Sequence, residues 1–124
     1  MMAAIAAAEN GARVCLLEPN ERLGKKLNIT GKGRCNVTNN CSAAELQGKV
    51  LCNGKFLYSA FSQFDPGDVM RFFEDHGVPL KTERGNRVFP VSDRSFDVSA
   101  ALEKYLRALS VDRARDRAQA LLVE

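Results

Sequence analysis

Residues 1–18 run from an alanine-rich stretch through Asn10-Gly11 into the apolar run Arg13-Val14-Cys15-Leu16-Leu17, which ends on Glu18 and is broken by Pro19-Asn20. Alanine and its neighbours favour helix over 1–10, and Gly11 supplies the left-handed residue that stops it. The apolar run fits a buried parallel strand, with Cys15 as a small core residue. Helix, glycine, strand and terminal acid make the second half of a βαβ dinucleotide-binding unit. In such units the acid accepts hydrogen bonds from a ribose diol. An ordinary strand-end charge is the competing reading of Glu18. A complete unit has a first strand and a Gly-x-Gly-x-x-Gly turn before the helix, and neither precedes it in this sequence. The expectation is a unit without its front.

The stretch Gly24–Asn36, GKKLNITGKGRCN, holds Gly24, Gly31 and Gly33 together with Lys25, Lys26, Lys32 and Arg34. Glycines let a ligand approach the main chain closely, successive N–H groups form an anion-binding concavity, and the cations add charge. Two readings stand for it: a phosphate or cofactor loop, and a solvated basic turn. Gly31-Lys32 is followed by Gly33, which sets aside a Walker-type site. The net charge of +3 does not by itself imply nucleic acid, whereas five cations against one anion between Glu21 and Arg34 suit a small anionic ligand such as a dinucleotide.

Apolar content of 45% and charged content of 27% belong to a globular protein of one domain. Cys15, Cys35, Cys41 and Cys52 form no C-x-x-C pair and His76 is the one histidine, so no metal site is expected. Met1–Ala8 has no preceding cation and is too short for an export signal, and no segment approaches a membrane span. Reduced thiols and a cytoplasmic location are expected.

Farther on, Ser42 and Glu45 have capping-box spacing. Phe56, Leu57, Ala60, Phe61 and Phe64 recur at helical spacing and read as core. Asp65-Pro66 starts a helix with a stripe of Val69, Met70, Phe72 and Phe73, ending at Gly77; His76, in its last turn, reads as structural. Val78–Thr82 and Arg87–Phe89 read as strands around the turn Glu83–Asn86. A helix is expected over Phe96–Leu109, capped by Asp93 or Ser95. Val111–Arg115 and Ala118–Val123 read as a strand pair, with a continued helix as the alternative.

The strings Met1–Glu18, Glu21–Leu27, Ile29–Asn39, Asn53–Phe61 and Glu83–Ser92 together resemble the aminoacetone-oxidase-type family of bacterial NAD(P)/FAD-dependent flavoproteins, which also holds flavoproteins assigned to bile-acid reduction. TGKGRCNVTN is the most specific of them. The resemblance implies an α/β fold: a partial Rossmann-like FAD-binding domain of two-dinucleotide-binding type lacking its first strand, occupying 1–124 and truncated at both ends relative to the family. It implies FAD as cofactor and NAD(P)H as reductant. By position, Glu18 would hold the adenosine ribose, and Gly24 and Lys25 would lie beside the pyrophosphate and ribitol. Gly31, Gly33, Arg34, Cys35 and Asn36 would pass near the flavin, with Cys35 in a packing role.

The expected function is therefore that of a fragment of an FAD-dependent oxidoreductase acting on an unidentified small molecule, inactive as it stands, with no catalytic residue named. A non-catalytic remnant and a nucleic-acid-binding module using the basic loop 22–34 are the alternatives; neither nucleic acid nor membrane is an expected partner. Gly31–Asn36 is expected at the carboxyl edge of the parallel strands, beside the end of the Arg13–Glu18 strand.

Overall fold

Alanine-rich α1 (Met2–Glu9) stops at Asn10, and Gly11 follows with φ +83°, as a left-handed terminator requires. The chain then enters β1 (Cys15–Leu17), which pairs in parallel with β5 (Asp112–Ala114), Leu16 lying opposite Arg113. The fold is that of a computed structural model that describes residues 1–120. The parallel pair is the sheet of a partial Rossmann-like α/β fold; α1 precedes it, and the long connection between its strands carries the other helices and a second sheet.

One expectation about β1 fails. Cys15 is exposed, as is Leu17, while Leu16 packs against the core cluster that contains Ala4 and Ile5. Alternate residues of a strand face opposite sides. Among the described residues this sheet has two strands, and helices cover only one side of it. A run that is apolar throughout is thus buried on one face.

The connection holds an antiparallel sheet in the order β2 (Thr38–Asn39), β4 (Arg87–Pro90), β3 (Leu80–Glu83). The hairpin turns through Arg84–Asn86, with Gly85 at φ +75°. The central strand β4 is the best buried, with Val88 wholly enclosed. Helix α2 (Lys25–Ile29) follows β1. Helix α3 (Ala43–Gly48) starts at a Ser42–Glu45 capping box, and α5 (Pro66–Asp75) at an Asp65–Asp68 box with Pro66 in its first turn. His76 closes α5, stacked on Phe72 and tilted against Tyr105, a structural position.

Helix α6 (Ser95–Ala108) is the hub. Its Val98, Ala101, Leu102 and Leu106 are buried, and it packs against α1, α2 and β4. Neither residue expected to cap it does so. Arg94 holds the cap position without a side-chain bond, Asp93 turns at φ +56° toward Arg34 and Lys81, and the Ser95 hydroxyl donates to Asn28 O.

Residues expected in the core between 56 and 64 are not there. Phe56 is 86% exposed and Phe64 43%. Helix α4 (Tyr58–Gln63) and the turn Gly54–Leu57 pack on each other and on α3 and leave these rings outside. In the tail, the first expected strand is β5. Residues 115–120 have no regular structure, and Leu121–Val123 of the second lie outside the described residues. Among the described residues no helix is long and apolar enough to cross a membrane.

The docking of α1 on α6 is testable. Ile5 is 1% exposed in the shared core, so Ile5→Ala should destabilise the chain by about 2–4 kcal/mol, read as a lower urea midpoint at constant slope. A loss below about 1 kcal/mol would mean that α1 is not docked there.

Candidate functional site

The basic glycine stretch is not one loop. Gly24 takes φ +72° and caps α2, and a Cβ at this position would lie 3.0 Å from Ser99 Cβ. Both the conformation and the close approach require glycine. Asn28 ties α2 to α6: its carbonyl accepts from Ser95 Oγ at 2.8 Å and its Oδ1 from Ser99 Oγ at 2.9 Å. Ser95 and Ser99 are buried, so these bonds satisfy groups that would be costly to leave unpaired.

Glu18 stands at the carboxyl end of β1, held to β5 by its N–H, which donates to Ala114 O at 3.1 Å. Its Oε1 accepts from the Asn20 N–H at 2.8 Å and from Asn20 Nδ2 at 2.5 Å. These bonds, seconded by the charges of Arg113 and Lys25, hold its carboxyl below the usual carboxylate range. Both described bonds fall on Oε1, and none of the described hydrogen bonds falls on Oε2. Lys25 reaches Asn20 Oδ1 at 3.4 Å, and Glu18, Gly24, Lys25 and Lys26 line one hollow of about 380 Å³. An acceptor carboxylate at a parallel strand end, faced by lysines, suits a ligand that carries both a diol and an anionic group.

The second half of the stretch is engaged elsewhere. Gly31, Lys32, Gly33 and Cys35 all have positive φ. The N–H groups of Arg34 and Cys35 donate to Gly31 O and Thr30 O, each at 3.2 Å, so they point into the turn rather than into an open concavity. The Arg34 guanidinium bonds Glu83 at 2.5 Å and Asp93 at 2.8 Å and lies 4.1 Å from the centre of the Phe89 ring. Lys81 completes the quartet, 2.7 Å from Asp93 and 3.4 Å from Glu83. Cys35 is buried in the core cluster, and burial pushes its thiol pKa up, which suits packing rather than nucleophilic chemistry. With its amide nitrogen turned inward, Asn36 donates to Thr38 O at 3.1 Å and Val88 O at 3.2 Å.

The structure thus brings Glu18, Gly24 and Lys25 together. Gly31, Arg34 and Asn36 meet partners on or beside the antiparallel sheet, and Cys35 lies in the core cluster on which Val14 and Leu16 also pack. Sequence reading missed Asn20, taken only as a breaker, although an asparagine two residues after an acid can close such a turn. It also missed Ser95 and Ser99, whose four-residue spacing among apolar positions marks a buried polar pair on one helix face.

Comparison with known proteins adds family context. The family described as the HI0933-like protein Rossmann domain matches residues 1–121. A 3-dehydro-bile acid delta(4,6)-reductase of Clostridium scindens is 38% identical over 113 residues, 90% of this chain and 27% of the relative. A ribosomal RNA dihydrouridine synthase of Escherichia coli K12 is 31% identical over 78 residues, 63% of this chain and 19% of the relative. The chain therefore spans about a quarter or less of the length of these relatives.

Two outcomes follow from the geometry. Gly24→Ala combines φ +72° with the 3.0 Å approach to Ser99 and should cost about 1–3 kcal/mol; unchanged urea stability would show that α2 is not seated on α6. The carboxyls of Glu83, held down chiefly by the Arg34 bond, and Asp93, held down chiefly by Lys81 and then Arg34, titrate below their ordinary values of 4.5 and 3.8. Lowered folded values stabilise fully above the unfolded ones and lose that contribution as pH falls through the folded ones. Urea midpoints should therefore fall below about pH 4.5, and fall less steeply in Arg34→Gln. Parallel profiles would exclude the quartet as the cause.

Proposed function

Since the chain belongs to the HI0933-like Rossmann-domain family, a family of FAD-dependent oxidoreductases, we propose that its Glu18 end forms the adenosine-ribose part of an FAD site. The single observation that carries this reading is the Glu18 carboxylate at the end of β1, fixed by Asn20 through Oε1 and sharing one hollow with Gly24 and Lys25. This donor and acceptor set fits the group. Glu18 would accept from the ribose hydroxyls, and Lys25 and Lys26 would face the pyrophosphate. When bound, the flavin supplies the electron transfer. The residues here bind and orient; none of them is assigned a proton transfer. In the described conformation Gly31–Asn36 serves as a clamp on the antiparallel sheet, and the flavin end of the cofactor needs contacts beyond those gathered around Glu18.

Within the family, the aminoacetone-oxidase-type resemblance favours oxidation of a small amine, whereas NAD(P)H as reductant suits a reduction. The names of the two relatives favour reduction of a ring double bond, since a delta-reductase and a dihydrouridine synthase both name a saturated product. We adopt the latter, on a small-molecule substrate in the cytoplasm, as the activity of the protein to which these residues belong. RNA as substrate is the second reading, favoured by the exposed cations Arg22, Lys25 and Lys26 and by the Escherichia coli relative. A steep fall of RNA affinity with salt would support it.

The 124 residues alone should turn over nothing and bind FAD weakly, because one end of a dinucleotide site encloses little of the ligand. Titration followed by flavin fluorescence should give saturable binding weaker than about 10 μM, and Glu18→Ala should weaken it about tenfold. Stoichiometric sub-micromolar binding would contradict the weak-site reading, and an unchanged Kd in Glu18→Ala would contradict the role of Glu18.

A further inference from the structure

We propose that Arg113, assisted by Arg115, is a positioning residue for the Glu18 end of the site. It fixes the main chain of the loop after β1 so that Asn20 is held on the Glu18 carboxylate. The inference rests on the reading of Glu18 as a ribose acceptor, and its geometry is independent of that reading.

Arg113 lies opposite Leu16 in the parallel register, and Arg115 follows two residues later on the same side of the chain. Arg113 Nη2 donates to Asn20 O at 3.0 Å and to Glu21 O at 2.7 Å. Arg115 Nε donates to Pro19 O at 3.4 Å. Three consecutive carbonyls of the loop are therefore held by two guanidinium groups, one in the neighbouring strand and one just beyond its end. The Glu18 N–H, bonded to Ala114 O, anchors the start of the loop to the same strand.

The consequence runs through Asn20. Its own N–H and Nδ2 both bond Glu18 Oε1, so the carboxylate keeps its orientation only while the peptide on either side of Asn20 stays in place. A carbonyl at an exposed turn otherwise exchanges freely between water and other partners. A charge-assisted bond from a guanidinium is stronger than a neutral one. Lys25 also donates to Asn20, at Oδ1. The charged groups around Glu18 are thus Lys25 and Lys26 of α2, Arg113 of β5, Arg115 just beyond it and Glu21 within the loop. The loop is pinned before a ligand arrives, which lowers the ordering cost of binding.

The test uses the ligand-free 124-residue chain and its Arg113→Ala and Arg113→Lys variants. Amide hydrogen exchange at Asn20 and the titration of the Glu18 carboxyl are followed by NMR. Arg113→Ala should speed Asn20 exchange about tenfold and raise the Glu18 midpoint, with the urea midpoint unchanged. Arg113→Lys, which keeps a charge and donors, should restore most of the protection. Unchanged Asn20 exchange in Arg113→Ala, or a parallel fall of the urea midpoint, would overturn the proposal. Titration with ADP-ribose separates the two claims. Weaker binding by Arg113→Ala supports both. Failure of the wild-type chain to bind ADP-ribose, with the exchange effect present, overturns the ribose reading and leaves the positioning role standing.

Discussion

Two serine hydroxyls buried on α6 hold Asn28, and the arrangement of the site follows from that contact. Ser95 and Ser99 lie one turn apart inside an otherwise apolar face, where an unpaired hydroxyl would be costly. Asn28 answers both, one through its carbonyl and one through its side chain. That fixes α2 against α6 so closely that Gly24 has no room for a side chain. Lys25 is then delivered beside Asn20, and Asn20 in turn orients Glu18. The acidic end of a strand and a lysine from a separate helix meet at one hollow because a buried polar contact holds the helix in place.

The same logic explains why the glycine-rich half of the stretch takes another role. A turn with positive φ at Gly31, Lys32, Gly33 and Cys35 has its N–H groups directed by local bonds. It closes on itself unless a ligand competes. Arg34 finds two carboxylates and an aromatic face on the adjoining sheet. Its partners sit in sequence far from it, at the hairpin edge and just before α6, so the loop joins the parallel and antiparallel parts of the fold. A guanidinium that balances two acids is a poor free cation for a phosphate, whereas Lys25 and Lys26 have no carboxylate partner among the described ion pairs.

Periodicity made α5, α6 and the β3–β4 hairpin legible, because their apolar spacing and turn residues carry the information locally. The parallel strand at 15–17 was legible from its apolar run and terminal acid, but its half-exposure was not, since burial depends on how many neighbours a sheet has. The rings of Phe56 and Phe64 show the same limit: helical spacing says that residues share a face, not that anything covers it. Asp93 looked like a cap because of its place before a helix, and the competition that turned it toward Arg34 and Lys81 is long-range. Motif and charge singled out Glu18, Gly24 and Lys25, which line one hollow. Asn20, Ser95 and Ser99 carried only a local spacing signal whose partners it does not name, and Arg113 and Arg115 act on main-chain carbonyls far away in sequence, which no spacing marks.

The claim at the centre of this account is that the stretch divides, with the Glu18–Lys25 half facing the ligand and the Gly31–Asn36 half bound to the antiparallel sheet. Chemical-shift mapping of the isotope-labelled chain titrated with FAD tests it directly. The account predicts the largest changes at Glu18, Asn20, Gly24 and Lys25, with Arg34, Asn36 and Glu83 unmoved. Largest changes at Gly31–Asn36, with those around Glu18 absent, would contradict it.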